Sequence, residues 1–154
     1  MTIDAFIVRP EEKTSALLYL LENTIKDQKA IVFASTRYHV DYLMSLIGEV
    51  YDCEGIYGKM DMDMRTSALD NFRRKKAKII LIVTDVAARG IDVPAVQFVV
   101  HYDYPTNHKT FVHRSGRTAR KGEEGHTIAL VSHAELPYLI DLSNYVSRKL
   151  CFSS

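Results

Sequence analysis

Two periodicities alternate along this chain. Short runs of β-branched and aromatic residues, AFIV (5–8), AIVFAS (30–35), CEGIY (53–57), KIILIV (78–83), VQFVVHY (96–102) and TIALVS (127–132), read as strands. Between them lie EEKTSALLYLLENT, TRYHVDYLMSLIGEV and MDMRTSALDNFRRKK, and AELPYLIDLSNYVSRK follows the last strand. These segments repeat apolar residues at i, i+3, i+4 and i+7, the period of a helix with one buried face. Runs such as IILIV are apolar on both faces, which suits strands sandwiched between two helical layers. The pattern predicts an open, parallel, doubly wound α/β sheet with helices on both faces.

Ligands of such sheets bind beyond the carboxyl ends of the strands. The residues just past the predicted strands are Ser35-Thr36-Arg37, Tyr57-Gly58-Lys59, Thr84-Asp85, Asp103-Tyr104-Pro105 and Ser132-His133. Hydroxyls, a glycine and cations beside helix starts suit phosphate, because free backbone N–H groups and the helix dipole point there. Thr36 and Thr84 or Asp85 are equally expected to cap their helices, and the two roles are compatible.

With 154 residues, 47% of them hydrophobic, the chain is expected to form a single domain spanning 1–154. Lys and Arg number 20 against 19 Asp and Glu, so a polyanion would have to be met by a local patch. Cys53 and Cys151 stand far apart without metal-ligand spacing, which favours neither a disulfide framework nor a zinc site and fits a reducing intracellular compartment. No apolar run reaches the roughly 18 residues of a membrane span, so no membrane partner is expected. His39, His108, His126 and His133 are scattered and are read as without a metal or catalytic role, and His101 as a packing residue. The run Arg73-Arg74-Lys75-Lys76 is read first as a cationic helix end complementing the dipole, and second as an RNA patch.

Two stretches carry chemistry. In VTDVAARGIDVP (83–94), Thr84-Asp85 is expected to start a short helical turn that Gly90 ends with a positive φ, followed by a second turn at Asp92-Val93-Pro94. A carboxylate just after a glycine places an acceptor pair beside backbone that a ligand can approach, as ribose hydroxyls require. In HRSGRTARKG (113–122), Arg114, Arg117 and Arg120 recur every three residues. If the stretch is helical they share one side, with His113 and Arg117 an i,i+4 pair. Guanidinium forks suit phosphoryl oxygens, although a solvated basic face is the alternative.

HRSGRTARKG is similar to the HRxGRxxR motif of superfamily 2 helicases, and TDVAARGID resembles the motif preceding it in DEAD-box RNA helicases. IVFASTR (31–37) resembles that family's IVF-x-x-T segment, GIYGKMDMDMRTSALDNFR (55–73) its HG-x-x-x-Q-x-x-R region, and HYDYP (101–105) the segment between its last two motifs. The matches run in order over essentially the whole chain. Met62 departs from the family by standing where the glutamine of Q-x-x-R is usual, and Ala119 by standing where glycine is common.

The resemblance implies a RecA-like fold, the second of two such domains, with ATP in the cleft between them and RNA across both. Neither the GxxxxGKS/T loop nor a DEAD sequence occurs in the chain, so ATP and Mg2+ are expected to be held mainly by the first RecA-like domain, a partner outside it. Arg117 and Arg120 resemble the arginines that reach the β- and γ-phosphates, Arg120 being the finger. Gly90 and Asp92 match positions at the nucleotide, with Asp92 on the ribose. His113 and Arg114 resemble residues coupling the two domains. Thr36, Arg37, Gly58, Arg65 and Thr84 match positions on the RNA sugar-phosphate backbone. Ala119 and ELPYLIDL (135–142) resemble a nucleolar branch acting in large-subunit ribosome assembly, which implies pre-ribosomal particles as partners and a nuclear or nucleolar location. A monomer is expected. The competing readings are an RNA-binding or assembly module without ATPase activity, and a flavodoxin-type nucleotide binder.

Overall fold

The computed structural model describes residues 1–118, 124–146 and, as backbone, 151–153. Seven strands form one sheet: β1 (Thr2–Ile7), β2 (Ala30–Phe33), β3 (Cys53–Ile56), β4 (Ile80–Val83), β5 (Phe98–His101), β6 (His126–Val131) and β7 (Cys151–Ser153). Their order is β3-β4-β2-β5-β6-β1-β7, and every pairing is parallel. The helices are α1 (Lys13–Asn23), α2 (Arg37–Ile47), α3 (Met62–Arg74), α4 (Asp85–Arg89), α5 (His108–Ser115) and α6 (Leu136–Val146). The six strands expected from sequence form. The seventh does not advertise itself, because three residues carry no period and β7 owes its place to the edge of β1, where Asp4 pairs with Cys151 and Phe6 with Ser153.

All four residues of β2 and all four of β4 are buried, as strands covered on both faces must be. On one face Ala30, Val32, Ile80 and Ile82 meet Leu17, Leu21, Val40, Leu43 and Ile47 of α1 and α2. On the other, Ile31, Phe33, Leu81 and Val83 meet Leu69 and Phe72 of α3 and Ala87 and Ala88 of α4. Beyond them, Ile3, Ala5, Ala129 and Val131 pack with Phe111 of α5 and Leu139 and Leu142 of α6. Consecutive residues of each strand therefore feed opposite layers, which is why the apolar runs are unbroken.

Helix starts gather at the carboxyl ends of the strands, and their caps fix the loops there. The Thr36 hydroxyl accepts the His39 N–H at 3.2 Å, Asp61 accepts the Asp63 N–H at 2.9 Å, and Asn107 accepts the Thr110 N–H at 2.8 Å. At the opposite end, Lys29 donates to the carbonyls of Phe72 and Arg73 and so caps α3, while Lys78 donates to the Leu21 carbonyl near the end of α1. Among the described residues no helix is long and apolar enough to cross a membrane.

Candidate functional site at the carboxyl edge of the sheet

Each strand of the β3-β4-β2 trio ends in a residue singled out by sequence. Thr36 is exposed and caps α2. Next to it Arg37 pairs with Asp41 at 3.3 Å and lies over the Tyr57 ring at 4.9 Å, bridging from α2 to the end of β3. Gly58 is exposed, and a Cβ there would stand 2.9 Å from Val86 Cγ1, so a side chain at this position would have to displace Val86 of α4. Arg65 reaches back from α3 to donate to the carbonyls of Gly58 at 2.8 Å and Tyr57 at 3.3 Å, and its Nε is buried without a partner. Thr84 stands at the N-cap position of α4, but its side chain does not cap: the hydroxyl is buried and unbonded. The capping role expected of both threonines is taken by Thr36 alone.

Arg114 is the most committed side chain in the molecule. It is 1% exposed. Its Nε and Nη2 donate to the two carboxylate oxygens of Asp85, each at 2.7 Å, and its Nη1 donates to the Asp103 carbonyl at 2.7 Å. The guanidinium also lies over Phe33 at 5.0 Å. The Arg114 guanidinium, expected with His113 to couple the two domains, is engaged within this domain by all three of its nitrogens. It joins α5 to the start of α4 and to the loop after β5. Asp103 extends the junction, because its carboxylate accepts the Ser35 N–H at 2.7 Å and pairs with His39 Nδ1 at 2.6 Å. Asp103 and Asp85 were legible only as strand-end residues, and the partners that give them this role lie at sequence separations of 68 and 29.

His101 sits beneath this junction as a packing residue, stacked on Phe111 with centroids 4.1 Å apart. Arg114 Nη1 points at its Nδ1 from 3.4 Å, and its Nε2 lies 3.3 Å from Ser115 Oγ. An accepting Nδ1 and a donating Nε2 describe the neutral ring. Burial and then the Arg114 cation hold its pKa well below the ordinary 6.5.

The arginine-rich stretch is not one helix. α5 stops at Ser115, and Gly116 closes it by donating to the Val112 carbonyl at 2.8 Å. Arg117 therefore lies past the helix, and its Nη2 donates to His113 Nε2 at 2.8 Å. Two cations at that distance would repel, and a neutral imidazole that accepts the bond avoids it. Burial, then Arg117 and Arg89, lower the His113 pKa, with Asp85 opposing. Arg120, the expected finger, lies outside the described residues. Arg117 makes no ion pair among the described residues, and Arg89, Lys109, Thr110 and His113 line an open cleft of about 310 Å³ beside it. A second cleft of about 210 Å³ adjoins through Arg89 and Thr110 and reaches Ser35, Asp85 and Arg114.

Gly90 ends α4 at φ −99° and ψ 3°, with its N–H donating to Ala87 at 3.3 Å. The positive φ expected there does not occur. What the glycine supplies is open backbone: the nearest atom to a Cβ at this position would be Arg65 Nη1 at 3.9 Å. Two residues on, the side chain of Asp92 is 89% exposed while its carbonyl is held by Arg73 at 2.6 Å. A carboxylate turned to solvent beside open backbone can accept ribose hydroxyls. Among the described residues no group of His, Cys, Asp and Glu side chains could hold a metal ion.

A seven-stranded parallel α/β domain with exposed cations, glycines and a solvent-exposed carboxylate along one edge belongs to the class of open-sheet nucleotide-type domains. Residues 12–122 match the helicase conserved C-terminal domain, and the chain belongs to that family. It is similar to ATP-dependent RNA helicase dbp10 of Emericella nidulans, 50% identical over 78% of this chain and 13% of that protein. It is also similar to ATP-dependent RNA helicase DDX54 of Mus musculus, 40% identical over 94% of this chain and 17% of that protein. The chain thus spans less than a fifth of these relatives. A DEAD box protein from Methanococcus jannaschii superposes with a TM-score of 0.90 at 30% identity, covering 100% of this chain and 42% of the other. Domain 2 of the DEAD-box helicase Mss116p, bound to an RNA duplex, gives a TM-score of 0.82 at 26% identity, covering 100% and 64%.

Proposed function

We propose that this domain is the second half of a composite, RNA-stimulated ATPase that separates short RNA duplexes locally. ATP enters between it and a first RecA-like domain, which supplies the triphosphate loop and the metal ligands. Arg117 and Arg120 meet the β- and γ-phosphates, Asp92 takes the ribose, and Gly90 lets the nucleotide approach the backbone. Thr36, Arg37, Gly58, Arg65 and Thr84 hold the RNA sugar-phosphate chain, a readout of shape and 2′-hydroxyls with little base preference. His113 faces the first domain directly, and Arg114 acts behind it by fixing α5 to α4. The similarity of ELPYLIDL to the ribosome-assembly branch supports a whole protein that works on pre-ribosomal particles in the nucleus or nucleolus; it is proposed to act as a monomer.

The observation that carries this reading is the separation of two kinds of group along one edge. Asp92 and Arg117 are outward-facing charges without a neutralising partner that fully occupies them. Around Gly58, by contrast, exposed backbone is braced by the Arg65 guanidinium, with Arg37 over Tyr57 and an exposed Lys59 beside it. The first suits a highly charged ligand completed by another domain, the second a repeating backbone.

The test is RNA-stimulated ATP turnover. The isolated domain is expected to show none, and the protein carrying both RecA-like domains is expected to show it. Arg120→Ala in the latter then lowers kcat by about 10³-fold or more, as loss of an arginine finger does, with RNA binding retained. Strong turnover by the isolated domain, or full activity of the Arg120→Ala protein, overturns the assignment.

A further inference from the structure

Arg73 lies in the last turn of α3, where a cation complements the dipole and nothing more is required of it. The helix end is already served, however, because Lys29 takes the carbonyls of Phe72 and Arg73 at 2.6 and 3.3 Å. Its neighbour Arg74 folds back onto its own helix, donating to the Asp70 carbonyl at 3.3 Å. Arg73 instead reaches across to another element. Its Nη2 donates to the Asp92 carbonyl at 2.6 Å and lies 3.6 Å from Asp92 Oδ2, while its Nη1 is braced by Asp70 at 3.5 Å.

The segment it grips has few other restraints. Between Gly90 and Asp92 the backbone hydrogen bonds are the Gly90 N–H to Ala87 and the Val93 N–H to the Ile91 carbonyl, and Asp92 is exposed. At the other end of α3, Arg65 approaches the same segment, its Nη1 3.9 Å from where a Gly90 Cβ would stand, while its Nη2 holds Gly58. One helix thus holds Asp92 with an arginine at its far end and brings a second, Arg65, near Gly90 from the side that meets Gly58.

We propose that Arg73 is a positioning residue for nucleotide binding: it fixes the backbone of Asp92 so that the carboxylate is presented to the ribose. This rests on the reading of Asp92 as a nucleotide contact. Arg73 itself touches neither phosphate nor ribose. Its contribution is preorganisation, so its loss weakens ATP binding without removing a group that acts in the transition state.

The experiment measures KM for ATP and kcat at saturating RNA in the protein carrying both RecA-like domains, with RNA affinity without nucleotide and thermal melting as controls. Arg73→Ala is expected to raise KM about tenfold, the scale of one charge-assisted hydrogen bond, while kcat and RNA affinity stay within about twofold. Arg73→Lys, which keeps one donor, recovers part of the affinity. In an Asp92→Ala background, Arg73→Ala adds nothing further, because it acts through that residue. An unchanged KM in either Arg73 variant, with or without a lower melting temperature, overturns the proposal, as do additive effects in the double variant. If Asp92→Ala alone leaves KM unchanged, the nucleotide reading of Asp92 falls as well. If Asp92→Ala raises KM and Arg73→Ala does not, only the positioning role falls.

Discussion

Burial and the Arg114 guanidinium act in the same direction on His101, and the consequence is a pH dependence of known sign. A histidine whose folded pKa lies below 6.5 binds fewer protons folded than unfolded as pH falls beneath that value. Its contribution to stability is complete above 6.5 and is lost progressively through the acid window down to the lowered pKa. The expected slope is up to about 1.36 kcal/mol per pH unit from this one residue. Denaturant titrations at several pH values check it: His101→Phe, which keeps the stack on Phe111, should flatten the curve between pH 6.5 and 5, and an unaltered slope would refute the assignment. The packing role of His101 was legible from its place at a strand end. The conformation of Gly90 was not, because a glycine after a helical turn signals either a left-handed cap or backbone left open, and its φ of −99° excludes the first.

At the scale of elements, what joins the pieces of the site is one buried guanidinium. Arg114 fastens α5 to α4 through Asp85 and to the loop after β5 through Asp103, and Asp103 in turn holds Ser35 at the start of α2. Removing one partner of a buried pair leaves the other charge uncompensated, so Asp85→Ala is expected to destabilise the domain by about 3–5 kcal/mol. Urea unfolding measures this, and a loss below about 1 kcal/mol, the scale of an exposed pair, would show that the pair is solvated. The sequence displayed Arg114 as one of three arginines at equal spacing, and spacing cannot separate an inward residue from an outward one once the helix stops between them. α5 ends at Ser115, so Arg114 belongs to the helix and Arg117 to the turn beyond it. Six of the seven strands were legible as short apolar runs, and four of the helices by their clean period. α5 was blurred by its two polar ends, and the hub was invisible because its partners meet only after the sheet has brought their loops together.

For the molecule as a whole, the order β3-β4-β2-β5-β6-β1-β7 puts the residues proposed to meet nucleotide and RNA on one rim and leaves the lysines that cap α1 and α3 at the other. The rim is legible from sequence because every strand of a parallel sheet delivers its following residues to the same end. β7 has a different meaning. It covers Asp4 to Phe6 of β1, which would otherwise offer a row of unpaired N–H and C=O groups at a sheet edge. Such an edge recruits other strands. Deleting residues 147–154 should therefore leave the fold and its thermal transition largely in place yet make light scattering rise with protein concentration. A deletion protein that stays monodisperse would show that β1 guards its own edge. On this view three residues without any pattern of their own occupy the β1 edge, which a six-stranded sheet would otherwise offer to a strand of its neighbour.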